Sequence, residues 1–199
     1  MTMNPRASDA RLPGGARPGS SLSPEVPEQR RILFGGAPHQ LRPLTLADTD
    51  RLITFFQSHN EETVRLRYGY FFREMTPSRA RQLMGVDQRK DLALGICSTG
   101  PDGTEVIDAI GRYFLMEDGK GAEMAFIVRE SKRRLGMAQT LLHALTDIAR
   151  KRGLNELVAQ VQRENHAMIA LFRQAGASFR SVLGADAVDV RLPLHPAPL

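Results

Sequence analysis

The apolar residues of this chain recur with two periods, and each change of period marks an element. Ala138, Leu141, Leu142, Leu145, Ile148 and Ala149 follow the three-and-four spacing of one buried helical face. Gly153 stops that helix behind Arg150-Lys151-Arg152, cations favoured at its C-terminal end. A second face, Met168, Leu171, Phe172 and Ala175, follows Asn165 and ends at Gly176. Three shorter helical stretches lie upstream. One is capped by Thr45, with Asp48 in its first turn and Leu52, Phe55 and Phe56 on its apolar face. The next runs over Glu61–Phe72 with Val64, Tyr68 and Phe71 on one side. The third opens at Thr76-Pro77, with Pro at the first helical position and Ala80, Leu83 and Met84 inward.

Strand-like runs fill the rest. Arg31–Phe34 and His39–Leu44 flank Gly35-Gly36 and predict a hairpin. Asp91–Ser98, Glu105–Met116 and Ala122–Val128 predict a meander, separated by the turn-forming Thr99–Gly103 and Glu117–Gly121. Leu157–Val161 is a further strand, and Ser178–Leu192 predicts a closing hairpin around Gly184.

The stretch Val128–Leu142 organises this order. A strand runs through a basic loop, Lys132-Arg133-Arg134, turns at Gly136 and enters a helix. Free N–H groups and the positive end of a helix dipole then converge on one spot, which suits phosphate. Gly136 and Ala138 have little or no side chain, so a phosphate group can approach the backbone. An ordinary strand-to-helix turn with a solvated basic loop is the alternative reading.

Composition narrows the function classes. The 199 residues suffice for one well-cored domain with a tail. Residues Met1 to about Gln29, rich in Pro, Gly, Ser and Arg, predict a disordered tail, leaving 30–199 as the domain. No apolar run is long enough to span a bilayer, and the first residues lack an apolar signal core. Cys97, the single cysteine, sits in an apolar run and reads as a buried structural thiol. A reducing cytoplasm fits. The net charge of +5 suits a polyanionic partner. Without a long basic run or any Trp there is no stacking platform for nucleic acid. His39, His59, His143, His166 and His195 show no metal-ligand spacing, so no metal is expected.

Arg133-x-x-Gly136-x-Ala138 resembles the R-x-x-G-x-G/A motif of the GNAT superfamily of acyl-CoA-dependent N-acyltransferases. Asn165-x-x-Met168-x-x-Leu171-Phe172-x-x-x-Gly176 resembles that family's second motif, and the order of elements over Arg31–Leu192 is similar to the family's. The fold class this implies is α/β of the α+β kind: a mixed central sheet of about six to eight strands flanked by about four or five helices. Leu41-Arg42-Pro43, Asp48, Glu61–Tyr68, Val86-Asp87 and Ala122–Phe126 are further similar to the bacterial protein lysine acetyltransferases. The acyl-CoA-synthetase-like or cyclic-nucleotide-binding modules fused to many of those have no room in this chain.

The resemblance implies attack of an amine on the thioester of acetyl-CoA, with a protein lysine as the expected acceptor. Backbone N–H groups of Arg134, Leu135, Gly136, Met137, Ala138 and Gln139, with the Arg133 and Arg134 cations, would hold the pyrophosphate. Phe126, Ile127 and Val128 would offer the strand edge that pairs with the pantetheine arm, and one N–H there would face the thioester oxygen. Asn165 would contact the pantetheine; it also reads as a helix N-cap. Glu123 matches the catalytic glutamate by position, and burial there would raise its pKa toward a useful range. The alternative for Glu123 is a rim ion pair with Arg112; Glu117 is the fallback base.

Phe172 stands where many members carry a tyrosine that protonates the thiolate. It would pack against the acyl-thioester, and Tyr68, Tyr70 or Tyr113 would be the replacement hydroxyl. Its presence also leaves open a catalytically silent CoA-binding sensor or subunit. A small-molecule amine is the other acceptor class. The acceptor pocket is expected between Glu61–Arg89 and the closing hairpin, where Glu61, Glu62, Asp87 and Asp91 suit a cation. The assembly is expected to be a monomer or homodimer.

Overall fold

Alternation along the strands feeds two apolar layers, so the sheet they form has a covered face on each side. The structure, a computed structural model, describes residues 28–68, 74–181 and 186–195. The predicted tail before Glu28, the far end of the second helical stretch with Tyr70, Phe71 and Phe72, the Tyr68 side chain and the Gly184 turn lie outside the described residues.

The strands are β1 (Arg30–Phe34), β2 (Ala37–Pro43), β3 (Leu92–Thr99), β4 (Glu105–Leu115), β5 (Gly121–Val128), β6 (Glu156–Gln162), β7 (Ser178–Ser181) and β8 (Ala187–Pro193). Among the described residues they form one sheet in the order β1-β2-β3-β4-β5-β6-β8-β7. Every pairing is antiparallel except β5 with β6. The helices are α1 (Thr49–Gln57), α2 (Glu61–Tyr68), α3 (Pro77–Met84), α4 (Met137–Lys151) and α5 (His166–Gln174).

Leu94, Ile96, Ala109, Tyr113, Ala122, Met124 and Phe126 carry one face of the sheet into a core with Met137, Leu141, Leu145 and Ala149 of α4 and Phe172 of α5. Ala93, Cys97, Ile107, Ile110 and Ile127 carry the other face against Leu52, Phe55 and Phe56 of α1 and Ala80, Leu83 and Met84 of α3. The predicted faces of α1, α3 and α4 are the buried ones. On α5 the reading needs correction: Ala175 is exposed, and Ile169 packs inward with Met168 and Leu171 instead. The thiol of Cys97 is buried in the α1 layer, and burial pushes it up to about 12. That removes it from nucleophilic chemistry at neutral pH.

Two buried charge networks hold the layers in register. Asp48, closing the short 3-10 turn before α1, accepts from Arg42 of β2 at 2.7 and 2.9 Å, from Arg51 of α1 at 3.1 Å and from the Thr45 N–H at 2.9 Å. Arg42 reaches on to Glu105 of β4. The second network centres on Arg152. The sequence places it as a cation favoured at the end of α4; in the structure it is also buried, donating to Tyr113 Oη at 2.8 Å and to main-chain oxygens of Gln88, Lys90 and Asp91. These carbonyls are otherwise stranded between α3 and β3, and a guanidinium satisfies several at once. Asp91, proposed above for a cationic acceptor, instead accepts from the Leu115 N–H at 2.9 Å.

Burial alone would raise the Asp48 carboxyl, but the Arg42 and Thr45 hydrogen bonds outweigh it and hold the group below its ordinary 3.8. Its folded pKa is thus lower than its unfolded one. The contribution is complete above about pH 4 and is lost as pH falls through the folded value. Asp48→Asn leaves the half-buried Arg42 with Glu105 as its remaining carboxylate partner and is expected to cost about 2 kcal/mol in urea unfolding. The difference from wild type should be constant from pH 5 to 8 and should shrink below pH 4.

Candidate functional site

The only parallel pair in the described sheet is also the place where it comes apart. β5 and β6 pair at Gly121–Glu156, Ala122–Leu157 and Glu123–Val158, and no further. Each stays in full register with its other neighbour, β5 with β4 and β6 with β8. The C-terminal halves of β5 and β6 therefore diverge around a cleft of about 390 Å³.

Which groups face that cleft follows from the antiparallel ladder, where alternate residues point to opposite neighbours. Met116 N–H donates to Gly121 O at one end of the β4–β5 ladder, and Arg129 N–H to Asp108 O at the other. The odd-numbered residues of β5 thus direct their main chain at β4. Met124, Phe126 and Val128 direct theirs into the cleft. By the same rule Gln160 and Gln162 face it from β6, because Arg163 and Asn155 bond toward β8. Of the expected strand-edge residues, Phe126 and Val128 are so placed. Ile127 is not: its main chain faces β4 and its side chain lies in the α1 and α3 core.

Side chains divide the cleft into two walls. Phe126 and Phe172 meet edge-to-face at 6.0 Å between centroids and, with Met124 and Met168, make an apolar wall on the α4–α5 side. Glu123, Gln160, Asp189 and Arg191 line the other side, with Leu66 of α2. Phe172 is buried, as expected of a packing residue. Glu123 is exposed, not buried as the sequence reading expects. Arg112, its suggested ion-pair partner, is buried against Leu83 O and the Phe114 ring, and lies opposite Ala125. Glu117 sits exposed in the β4–β5 turn, outside the cleft lining. Tyr113 is no replacement acid: it lies in the core, and burial pushes its hydroxyl up to about 12. No described residue lining the cleft carries a hydroxyl.

The loop after β5 lies at the wide end. Its backbone is left-handed at Arg134, φ +62°, and at Gly136, φ +85°. A non-glycine residue at positive φ stores strain and marks a constrained loop. Nothing lies within 4 Å of a Cβ placed on Gly136, so the space beside this glycine is open rather than packed. The first intrahelical bond of α4 runs from Thr140 N–H to Gly136 O at 3.0 Å. The N–H groups of Met137, Ala138 and Gln139 come before it and lack helical partners.

The structure separates the expected loop ligands. Met137 turns its side chain into the core, Ala138 is half-buried, and Arg134 and Gln139 are exposed. Leu135 leans on the β1–β2 turn, its Cδ2 3.7 Å from the Cβ position of Gly35. Arg133 does not reach over the loop: its guanidinium donates to Thr63 Oγ1 of α2 and lies 3.8 Å from Glu130. Asn165 caps α5, accepting from the Met168 N–H at 3.3 Å, which bears out its reading as an N-cap, and it also lines the cleft.

Sequence reasoning missed Leu66, Gln160, Gln162 and Asp189. The polar residues Glu156, Gln160 and Gln162, alternating with Leu157, Ala159 and Val161 along β6, were the available signal for an open strand face. No described cluster of His, Cys, Asp or Glu has the make-up of a metal site. No described helix is long and apolar enough to cross a membrane.

Comparison with known proteins agrees with this geometry. A curated acetyltransferase of Pseudomonas aeruginosa is 26% identical over 128 residues, 64% of this chain and 68% of that protein. The GNAT domain of S. lividans PAT superposes with a TM-score of 0.75 at 22% identity, over 85% of this chain and 99% of that one. The Salmonella typhimurium protein yncA, solved with its cofactor acetyl-CoA, superposes at 0.58 and 20% identity, over 80% and 97%. The cAMP-binding acyltransferase from Mycobacterium smegmatis matches at 0.58 and 22%, but this chain spans 48% of its length. A family model described as acetyltransferase (GNAT) domain matches residues 40–178, and with that span this chain belongs to the GNAT acetyltransferase family.

Proposed function

We propose that the protein is an acetyl-CoA-dependent N-acetyltransferase acting on a primary amine, with a protein lysine side chain as the acceptor. The observation that carries this reading is the parting of β5 and β6 directly below the amide-lined start of α4. A cleft edged by unpaired main-chain groups fits an amide-bearing arm, and the open backbone at Gly136, before the free N–H groups of α4, suits a diphosphate. yncA, of the same fold, was solved with acetyl-CoA, which supports that cofactor here. It supplies an acyl thioester, whose thiol has a pKa of about 8.5 and leaves without an acid. That no described residue lining the cleft carries a hydroxyl is then no obstacle.

The loop amides from Arg134 to Gln139 hold the diphosphate, and Phe126 and Val128 main-chain groups hold the arm. An N–H on that edge donates to the thioester oxygen, and Asn165 contacts the arm beside its capping role. Phe172 and Phe126 shape the apolar wall. Glu123, on the opposite wall, accepts the proton that the attacking nitrogen must lose, directly or through water. A lysine is protonated below about pH 10.4, so a carboxylate beside it also attracts it.

The exposed polar face of β6, β8 and β7, with Gln160, Asp189, Arg180 and Arg191, favours a macromolecular acceptor. A side chain carried on a protein can reach Glu123 across that face without an enclosing pocket. The cytoplasm suits both the acceptor and the reduced Cys97.

Calorimetry with acetyl-CoA tests the cradle: Gly136→Ala should weaken binding about tenfold, roughly 1.4 kcal/mol. The same change should cost about 1–2 kcal/mol of stability from the left-handed backbone. Wild-type protein that gives no heat with acetyl-CoA refutes the reading. Glu123→Gln should lower kcat/KM for a lysine peptide about a hundredfold while leaving acetyl-CoA affinity within twofold. Undiminished turnover removes Glu123 from the reaction.

A further inference from the structure

Helix α2 stands over the wide end of the cleft, and what holds it there differs from what holds the other helices. It has eight residues, EETVRLRY. Of its described side chains, Thr63 is buried, Val64 is half-buried against the α1–α3 core and Leu66 lines the cleft. A helix this short is not stable on its own, and this much apolar contact does little to fix it. Its attachments are polar, and they go to both lips of the cleft.

On the β5 lip, Glu130 Oε1 accepts from the Asn60 N–H at 3.1 Å, and Arg133 donates to Thr63 Oγ1 beside Glu130. Asn60 caps α2 through its Oδ1, which accepts from Thr63 N–H at 2.8 Å. On the β6 lip, Arg65 of α2 pairs with Glu164, the residue before the Asn165 cap of α5. The hydrogen bonds on one lip and the ion pair on the other therefore tie α2 across the parting of the strands.

We infer that Glu130 and Glu164 are positioning residues that latch α2 across the cleft, where it forms the acceptor-side wall above Glu123. This inference rests on the function proposed above. The family-motif arginine, Arg133, then serves the acceptor helix rather than the diphosphate. An exposed ion pair is weak and screened by salt, and an exposed hydrogen bond competes with water, so each latch shifts the helix equilibrium only a few-fold. That is enough to make α2 a strap that opens readily, and too little to disturb the sheet beneath it.

Hydrogen exchange of the full-length protein reads the strap without turnover. Glu164→Gln and Glu130→Gln should each speed exchange of α2 amides about two- to fivefold, and the double variant about tenfold. Exchange of α4 and β4 amides should not change. Pairing Arg65→Glu with Glu164→Arg should restore wild-type protection. In steady-state assays with Nα-acetyl-lysine amide, Glu164→Gln should raise the amine KM several-fold and leave the acetyl-CoA KM within twofold. Equal α2 exchange in wild type and the double variant overturns the strap, as does a rise confined to the acetyl-CoA KM. A wild-type protein that fails to bind acetyl-CoA overturns the function instead, and exchange alone then decides the strap.

Discussion

Everything at this site depends on an incomplete strand pairing. Peptide groups that leave water must find partners, and a sheet ordinarily supplies them along its whole length. Here β5 and β6 pair only over Gly121–Glu123 and Glu156–Val158, then expose opposed edges to one another. Neither strand can close the gap by sliding, because each is held in full register on its far side by β4 or β8. The Phe126–Phe172 pair occupies the space beneath. Closing the strands would require expelling those rings from a packed core, so the opening is built in by packing.

Because β5 and β6 are parallel, both connections leave from the same end of the sheet. The β5–α4 loop and the β6–α5 turn bring two helix starts to one mouth, the arrangement that suits ligands at the carboxyl ends of parallel strands. α4 begins at Gly136 with no side-chain cap, whereas α5 begins with Asn165 serving as one. The uncapped helix leaves its first N–H groups unclaimed by a side chain, whereas the capped one has a donor satisfied by Asn165. Two similar helix starts are in this way fitted for different work.

Local patterns were legible in the sequence; consequences of register were not. The loop at Gly136, the faces of α1, α3 and α4, the meander and the core position of Phe172 each follow from spacing within a few residues. Ile127 was misjudged because the direction of its peptide group depends on where Gly121 and Arg129 bond to β4, which no local pattern encodes. Arg152 looked like a helix-end cation, since its partners at Gln88, Lys90 and Asp91 lie some sixty residues away. Glu123 sat between small and apolar neighbours, which suggested burial. Its side chain instead emerges on the open side of the strand. Proximity in sequence to apolar residues says little about exposure when successive side chains alternate faces.

The distribution of charge separates what is fixed from what is free to move. Asp48 and Arg152 are almost fully buried, with several partners each, and they join α1, α3 and α4 to the sheet. Removing one partner there strands a charge in a low-dielectric interior, so those joints are stiff. Arg65, Glu130, Arg133 and Glu164 keep substantial contact with solvent, where water can replace a lost partner. The same chemical pairing is thus rigid behind the sheet and yielding at the cleft mouth. An acetyltransferase is served by both behaviours, a cleft strand that does not shift and a mouth that yields. Burial alone, with no change of residue type, supplies the difference.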